Sequence, residues 1–215
     1  MKYRIATFFL FIGILSFGQQ VFMEIGRVSS QFDYESSSGE TLDGSFPDAN
    51  LSFAMGYRME VANRFYLNGS ATYNRYGTYG SISSRELRYD YQLDYLGINL
   101  GLEGEFYKKE GFTFYVRLAA EPQFMLSGTR TINDDVENIK GAEEFDSPFI
   151  FAIGGLGVNY CADKLFAVTM RYDYGLGAAF SSGDERLNYQ TGTISLGILI
   201  NLRQCKYCLL SKSLK

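Results

Sequence analysis

The chain of 215 residues contains no histidine. Without imidazole there is no Ser-His-Asp triad, no Cys-His pair and no histidine-ligated metal. Most familiar enzyme chemistry is thereby excluded. Tryptophan is also absent, and there are only 3 prolines and 3 cysteines. With 46% apolar residues, 16% aromatic and 20% charged, the chain is neither disordered nor of low complexity. Its 20 basic and 24 acidic residues give a net charge of −4, which offers no footprint for nucleic acid. The length suits one domain and at most two.

What is present begins with an address. Lys2 and Arg4 precede the apolar run Ile5 to Phe17, which is shorter than the roughly 20 residues of a spanning helix. Ser16-Phe17-Gly18 places small residues at the −3 and −1 positions of a cleavage site. Residues 1–18 therefore read as a secretory signal peptide, with Gln19 as the new N-terminus. No cysteine follows the cleavage point, so a lipid anchor is not expected. Losing Lys2 and Arg4 leaves 18 basic against 24 acidic residues, a mature net charge of −6.

From Gln19 onward the period is two. Leu51-Phe53-Met55-Tyr57-Met59-Val61 alternates with Ser52, Ala54, Gly56, Arg58 and Glu60. The same pattern recurs from Phe65 to Tyr73, Phe112 to Ala120, Phe166 to Tyr174 and Ile194 to Leu202. Val21-Met23-Ile25 opens a first strand. Tyr91-Leu93-Tyr95 is followed by Leu96-Ile98-Leu100-Leu102, where the apolar phase jumps by one residue. A bulge near Tyr95 and Leu96 would restore one outward face. Ile150 to Tyr160 is glycine-rich and apolar on both faces. The total is eight strands of about 10 residues, the length of a tilted strand crossing a bilayer.

The connections alternate as well. Asp33 to Asp48, Gly77 to Asp90, Ser127 to Pro148 and Ala178 to Asn188 are long and polar; Ala62 to Arg64, Lys108 to Gly111 and Cys161 to Lys164 are short. An outer-membrane barrel has this asymmetry, with short periplasmic turns and long external loops. The minor face of the strands carries Arg58, Glu60, Glu103, Glu105, Arg117, Glu121, Arg171 and Asp173. On a lipid face each charge would cost roughly 2–4 kcal/mol near the midplane. Inside a crowded lumen the opposite signs can pair. The expected fold is all-β: an eight-stranded antiparallel up-and-down transmembrane β-barrel over residues 19–203, with a periplasmic tail, 204–215. A soluble lipocalin-like barrel, with these faces inverted, is the alternative.

Leu93-Asp94-Tyr95-Leu96-Gly97-Ile98-Asn99-Leu100 resembles a strand of the bacterial outer membrane beta-barrel protein family, also labelled porin or PorT family. Tyr115 to Pro122, Gly154 to Val158 and Arg171-Tyr172-Asp173-Tyr174-Gly175-Leu176 resemble further strands of that family. The likeness covers about residues 19–203. It implies an integral protein of a bacterial outer membrane, without an assigned molecular activity. In one respect the chain departs from the pattern. Barrels of this kind end on an aromatic residue, whereas here the last strand ends at Leu202-Arg203 and a tail continues.

Three segments offer sharper chemistry. Cys205-x-x-Cys208 is half of a zinc or redox motif, without histidine or a second pair. In an oxidising periplasm the default is a disulfide, with Cys161 as a partner for Cys205 or Cys208. Asn133, Asp134, Asp135, Glu137, Glu143, Glu144 and Asp146 could offer oxygens to Ca²⁺ or bridge to lipopolysaccharide, but a solvated acidic loop explains them as well. The minor-face charges could form a gate or, in a barrel just wide enough to be filled by side chains, a packed ion-pair network. No catalytic residue, cofactor or metal is expected. The expected partners are outer-membrane lipid, lipopolysaccharide and an envelope protein. The leading reading is a non-enzymatic barrel with a structural or interaction role. A narrow channel and an accessory part of a secretion machine are the alternatives.

Overall fold

In a computed structural model the alternating segments close into a barrel. The structure describes residues 19–35, 46–82, 87–132, 135–140, 148–163, 165–179 and 186–202. Among the described residues there are nine strands: β1 (Gln19–Glu35), β2 (Phe46–Ala62), β3 (Phe65–Ile82), β4 (Leu87–Lys109), β5 (Phe112–Ile132), β6 (Asp135–Asn138), β7 (Phe149–Cys161), β8 (Phe166–Ala179) and β9 (Arg186–Asn201). All pairings are antiparallel. The order β4-β3-β2-β1-β9-β8-β7-β5 closes on itself through β4–β5, giving an eight-stranded barrel; β6 is a short addition to the upper part of β5. Closure removes the sheet edges that a bilayer would leave unsatisfied.

The short turns are built for tight reversal. Arg64 (φ 70) follows Asn63 between β2 and β3, and Glu110 (φ 50) with Gly111 (φ 87) joins β4 to β5. Two consecutive residues with positive φ match the twist of a hairpin, and glycine takes that conformation without strain. The long connections are shorter than the sequence suggested. Gly77 to Asp90 was expected as loop, yet β3 runs to Ile82 and β4 starts at Leu87, paired residue by residue.

Alternation fixes the two faces. Met23, Ile25, Phe53, Leu100, Leu118, Met170 and Ile198 stand exposed on the outside. Glu24, Arg58, Asn68, Asn99, Arg117 and Arg171 are buried inside. This is the reverse of a soluble barrel, where apolar residues fill the centre. Aromatic side chains gather outside at the short-turn end, where Phe112 packs on Tyr160 at 4.7 Å and Tyr107 on Phe114 at 5.9 Å. Towards the other end the outer face turns polar. There Arg75 Nε pairs with Asp94 at 2.7 Å, and the Tyr73 and Ser127 hydroxyls donate to the same carboxylate.

The expected bulge in β4 is absent. β3 and β4 pair without a break through Asn74↔Tyr95 and Tyr73↔Leu96. The irregularity lies on the partner strand: Asp94 faces Ser127 and Tyr95 faces Met125, so Leu126 is the extra residue of β5. Leu93 and Tyr95 therefore point inward, and Leu96 outward. The phase jump marks a place where the lumen itself becomes apolar.

Candidate functional site

The interior has two storeys. The lower one, towards the short turns, is ionic. Arg58 from β2 donates through Nε to Glu103 at 2.5 Å and through a terminal nitrogen to Glu105 at 3.3 Å. Its guanidinium also lies 3.6 Å over the Tyr66 ring, a cation–π contact. Lys108 reaches Glu105 at 2.5 Å. Arg117 from β5 donates to Asp173 at 2.8 Å and also to Asn99. Arg171 from β8 sits 2.6 Å from Glu24 and 2.8 Å from Asp173. Seven of the eight minor-face charges read from the sequence are thus buried inside. Glu60, on the same face of β2 as Arg58, is half-buried at the short-turn end.

Glu24 was not among those eight, although it joins the network through Arg171. Its place on β1 between Met23 and Ile25 is the signal that could have found it. Glycines were missed too. Gly155 lies in the cross-strand row Arg117↔Gly155↔Asp173, and a side chain there would overlap the Asp173 carboxylate. Gly157 is likewise vacated for the Tyr115 ring.

Glu121 differs from the other lumen carboxylates. Thr72 Oγ1 at 2.7 Å, Asn74 Nδ2 at 3.1 Å and Gln123 Nε2 at 2.7 Å donate to one of its oxygens, and Asn99 Nδ2 at 2.6 Å to the other. All four donors are neutral.

The upper storey is an aromatic plug that sequence reasoning did not foresee. Tyr76, Tyr95, Phe149, Phe151 and Tyr189 are buried together with Val28, Leu93, Met125 and Ile139. Tyr189 meets the edge of Phe149 at 4.6 Å, Tyr95 meets Phe149 at 5.7 Å, and Tyr76 stacks on Phe151 at 5.8 Å. These are the offset and edge-on geometries that aromatic pairs prefer. Gln123 ties the two storeys by donating from Nε2 to both Tyr76 and Glu121. The glycine-rich β7, whose orientation the sequence left open, turns Phe149 and Phe151 into the plug and Ile150, Leu156 and Tyr160 outward.

Two cavities lie among the described lumen residues. A cavity of about 40 Å³ lies between Glu121, Asp173, Arg117 and Tyr76, and another of about 30 Å³ lies beside Arg58 and Asn159. Each holds a few water molecules at most. Cys161 is disulfide-bonded; Cys205 and Cys208, the other cysteines of the chain, lie outside the described residues. So do the signal segment and most of the acidic loop. Of that loop, Asp135 and Glu137 are described on β6, where Glu137 pairs with Arg130 at 2.6 Å.

No protein-family model matches the chain, and no curated protein matches its sequence. Among solved structures, the chain is similar to Neisserial surface protein A (NspA), with 16% identity over 86% of this chain and 97% of that one, at a TM-score of 0.51. It is similar also to the outer membrane protein OprG from Pseudomonas aeruginosa, with 12% identity over 87% and 97% of the two chains, at a TM-score of 0.55. At these identities the likeness is one of fold. Taken with the apolar exterior and polar interior, that fold makes the chain a bacterial outer-membrane β-barrel protein.

Proposed function

We propose that the protein is a closed, non-enzymatic barrel that anchors its external loops in the outer membrane, where they meet the environment, lipopolysaccharide or an envelope partner. The observation that carries this reading is the double closure of the lumen, by the Arg117–Asp173 ion pair below and the Tyr95–Phe149–Tyr189 plug above. An eight-stranded barrel is just wide enough for its own side chains to fill it, and here they do. The paired charges and the buried aromatic layer support a closed lumen over an open one. The lack of histidine and the engagement of Glu24, Glu103 and Asp173 in ion pairs support a non-catalytic role. Outside, the polar collar of Arg75, Asp94 and Ser127 lies where the apolar band gives way, at the level of lipid head groups.

The test is single-channel recording of the refolded protein in planar bilayers. A sealed lumen gives no steady current at either polarity. A reproducible ohmic current would instead support a narrow channel for ions or small solutes and overturn the anchor reading.

A further inference from the structure

The short strand β6 has little to hold it by itself. Asp135–Asn138 pairs with the far end of β5, and all four of its residues are exposed. A short edge strand with no buried face is marginal, since pairing alone does not offset the entropy of ordering it. The Arg130–Glu137 pair spans the two strands at 2.6 Å, but both side chains reach solvent, and exposed ion pairs contribute little.

The next residue supplies the missing contact. Ile139 is 6% exposed and is the single buried residue of the stretch Asp135–Lys140. Its side chain enters the aromatic plug, whose other described members all stand on the barrel strands β1, β3, β4, β5, β7 and β9. The Ile139 N–H donates to the Gly128 carbonyl at 3.1 Å, one rung beyond the pair Thr129↔Asn138. Asn138 Oδ1 then accepts the Lys140 N–H at 2.9 Å and closes an Asx turn.

A second, independent observation is the seat that the barrel provides. A methyl group at Gly128 would come within 3.1 Å of Ile139 Cγ1, 3.0 Å of Leu93 Cδ2 and 3.2 Å of Met125 Cε. The glycine therefore leaves a notch between Leu93 and Met125, and Ile139 occupies it. Burying an isoleucine outweighs an exposed ion pair.

We propose that Ile139 is a docking pin that couples the external segment Asp135–Lys140 to the packing of the lumen plug. The inference rests on the reading of the external loops as the interacting part of the protein. Docked, the pin presents Asp135, Val136 and Glu137 to a partner in one preset arrangement, which lowers the ordering cost of binding. A partner that takes this segment in another arrangement must first draw Ile139 from the lumen, and so loosens the plug from outside.

The experiment is limited trypsin cleavage of the refolded full barrel. Cleavage after Lys140 is followed by fragment mass, and the folding of each variant is checked by its mobility in SDS before boiling. When docking is fast, the cleavage rate follows the undocked population. The wild type is expected to be cut slowly at Lys140. Ile139→Asn removes the pin, and Gly128→Val fills the notch and expels it. Each should speed cleavage by roughly tenfold or more. Val136→Thr changes a residue of β6 that is 69% exposed and should leave the rate unchanged. If either plug variant does not fold, Ile139→Ala takes its place. Cleavage at the wild-type rate without the isoleucine would overturn the pin. So would an equal acceleration in Val136→Thr, because the strand edge would then hold the segment. Bilayer current is read separately: a steady current would overturn the sealed anchor and leave the docking result standing.

Discussion

Arg117 reaches over a glycine to Asp173. The two residues belong to β5 and β8, which do not pair with each other, and are 56 positions apart in sequence; their side chains meet at 2.8 Å inside the barrel. Gly155 on β7 lies between them in the same cross-strand row. The ion pair can form because the strand that separates its partners carries no side chain at that point.

Replacing Arg117 with Ala leaves Asp173 to Arg171 alone, and removes the donor that Arg117 supplies to Asn99 Oδ1. Breaking a buried pair in this way typically costs about 3–5 kcal/mol. Urea unfolding of the barrel in lipid vesicles should show a loss of that order. Unchanged stability would mean that the lumen pair contributes nothing.

Gly154 and Gly155 should behave in opposite ways. A methyl group at Gly155 would overlap the Asp173 carboxylate and come within 2.9 Å of the Tyr172 carbonyl oxygen, whereas at Gly154 the nearest atom is a Leu118 methyl at 3.9 Å. Gly155→Ala should destabilise by about 1–3 kcal/mol, the range for overpacking. Gly154→Ala should be close to neutral. Unfolding curves of the two variants, measured side by side, check the assignment of inside and outside on β7.

The plug and the ion network are separate seals. Tyr189→Ala removes an aromatic side chain that contacts Phe149, Phe151, Tyr76 and Tyr95, at a cost of about 3–5 kcal/mol. Bilayer recordings of the variant should nonetheless show no steady current, because Arg117, Asp173 and Arg58 still close the lumen below. An open channel on loss of Tyr189 alone would show that the plug is the only barrier.

Leu118 stands 72% exposed on the outer face of β5, between the aromatic end at Phe112 and the polar end at Ser127. In water such a residue tolerates a charge, whereas at a bilayer midplane Leu118→Arg should cost about 2–4 kcal/mol. Comparing folding free energies in vesicles gives the answer. A neutral substitution would place this face in solvent.

Much of this architecture was legible in the sequence, because period-two patterning is set locally. Leu51 to Val61 and Ile194 to Leu202 announce their faces without reference to any other strand. The minor-face arginines were legible for a similar reason: a charge flanked by lipid-facing residues has only the lumen to enter. What remained hidden depends on closure. The pairing of Arg117 with Asp173, and the need for glycine at 155, follow from register across three strands. The alternation suggests that Tyr95 faces lipid, yet it is buried in the plug, because apolar residues point outward along most of each strand and inward only there. A single sequence shows that the phase changes at Leu96; the three-dimensional partners Phe149 and Tyr189 show why.

The apolar face of the barrel lies in lipid, and gel mobility of the outer-membrane fraction in SDS, boiled against unboiled, tests that most directly. The protein is expected in this fraction and should migrate differently until heated, as a detergent-resistant closed barrel does. Recovery from the soluble periplasm, with one mobility before and after boiling, would contradict it.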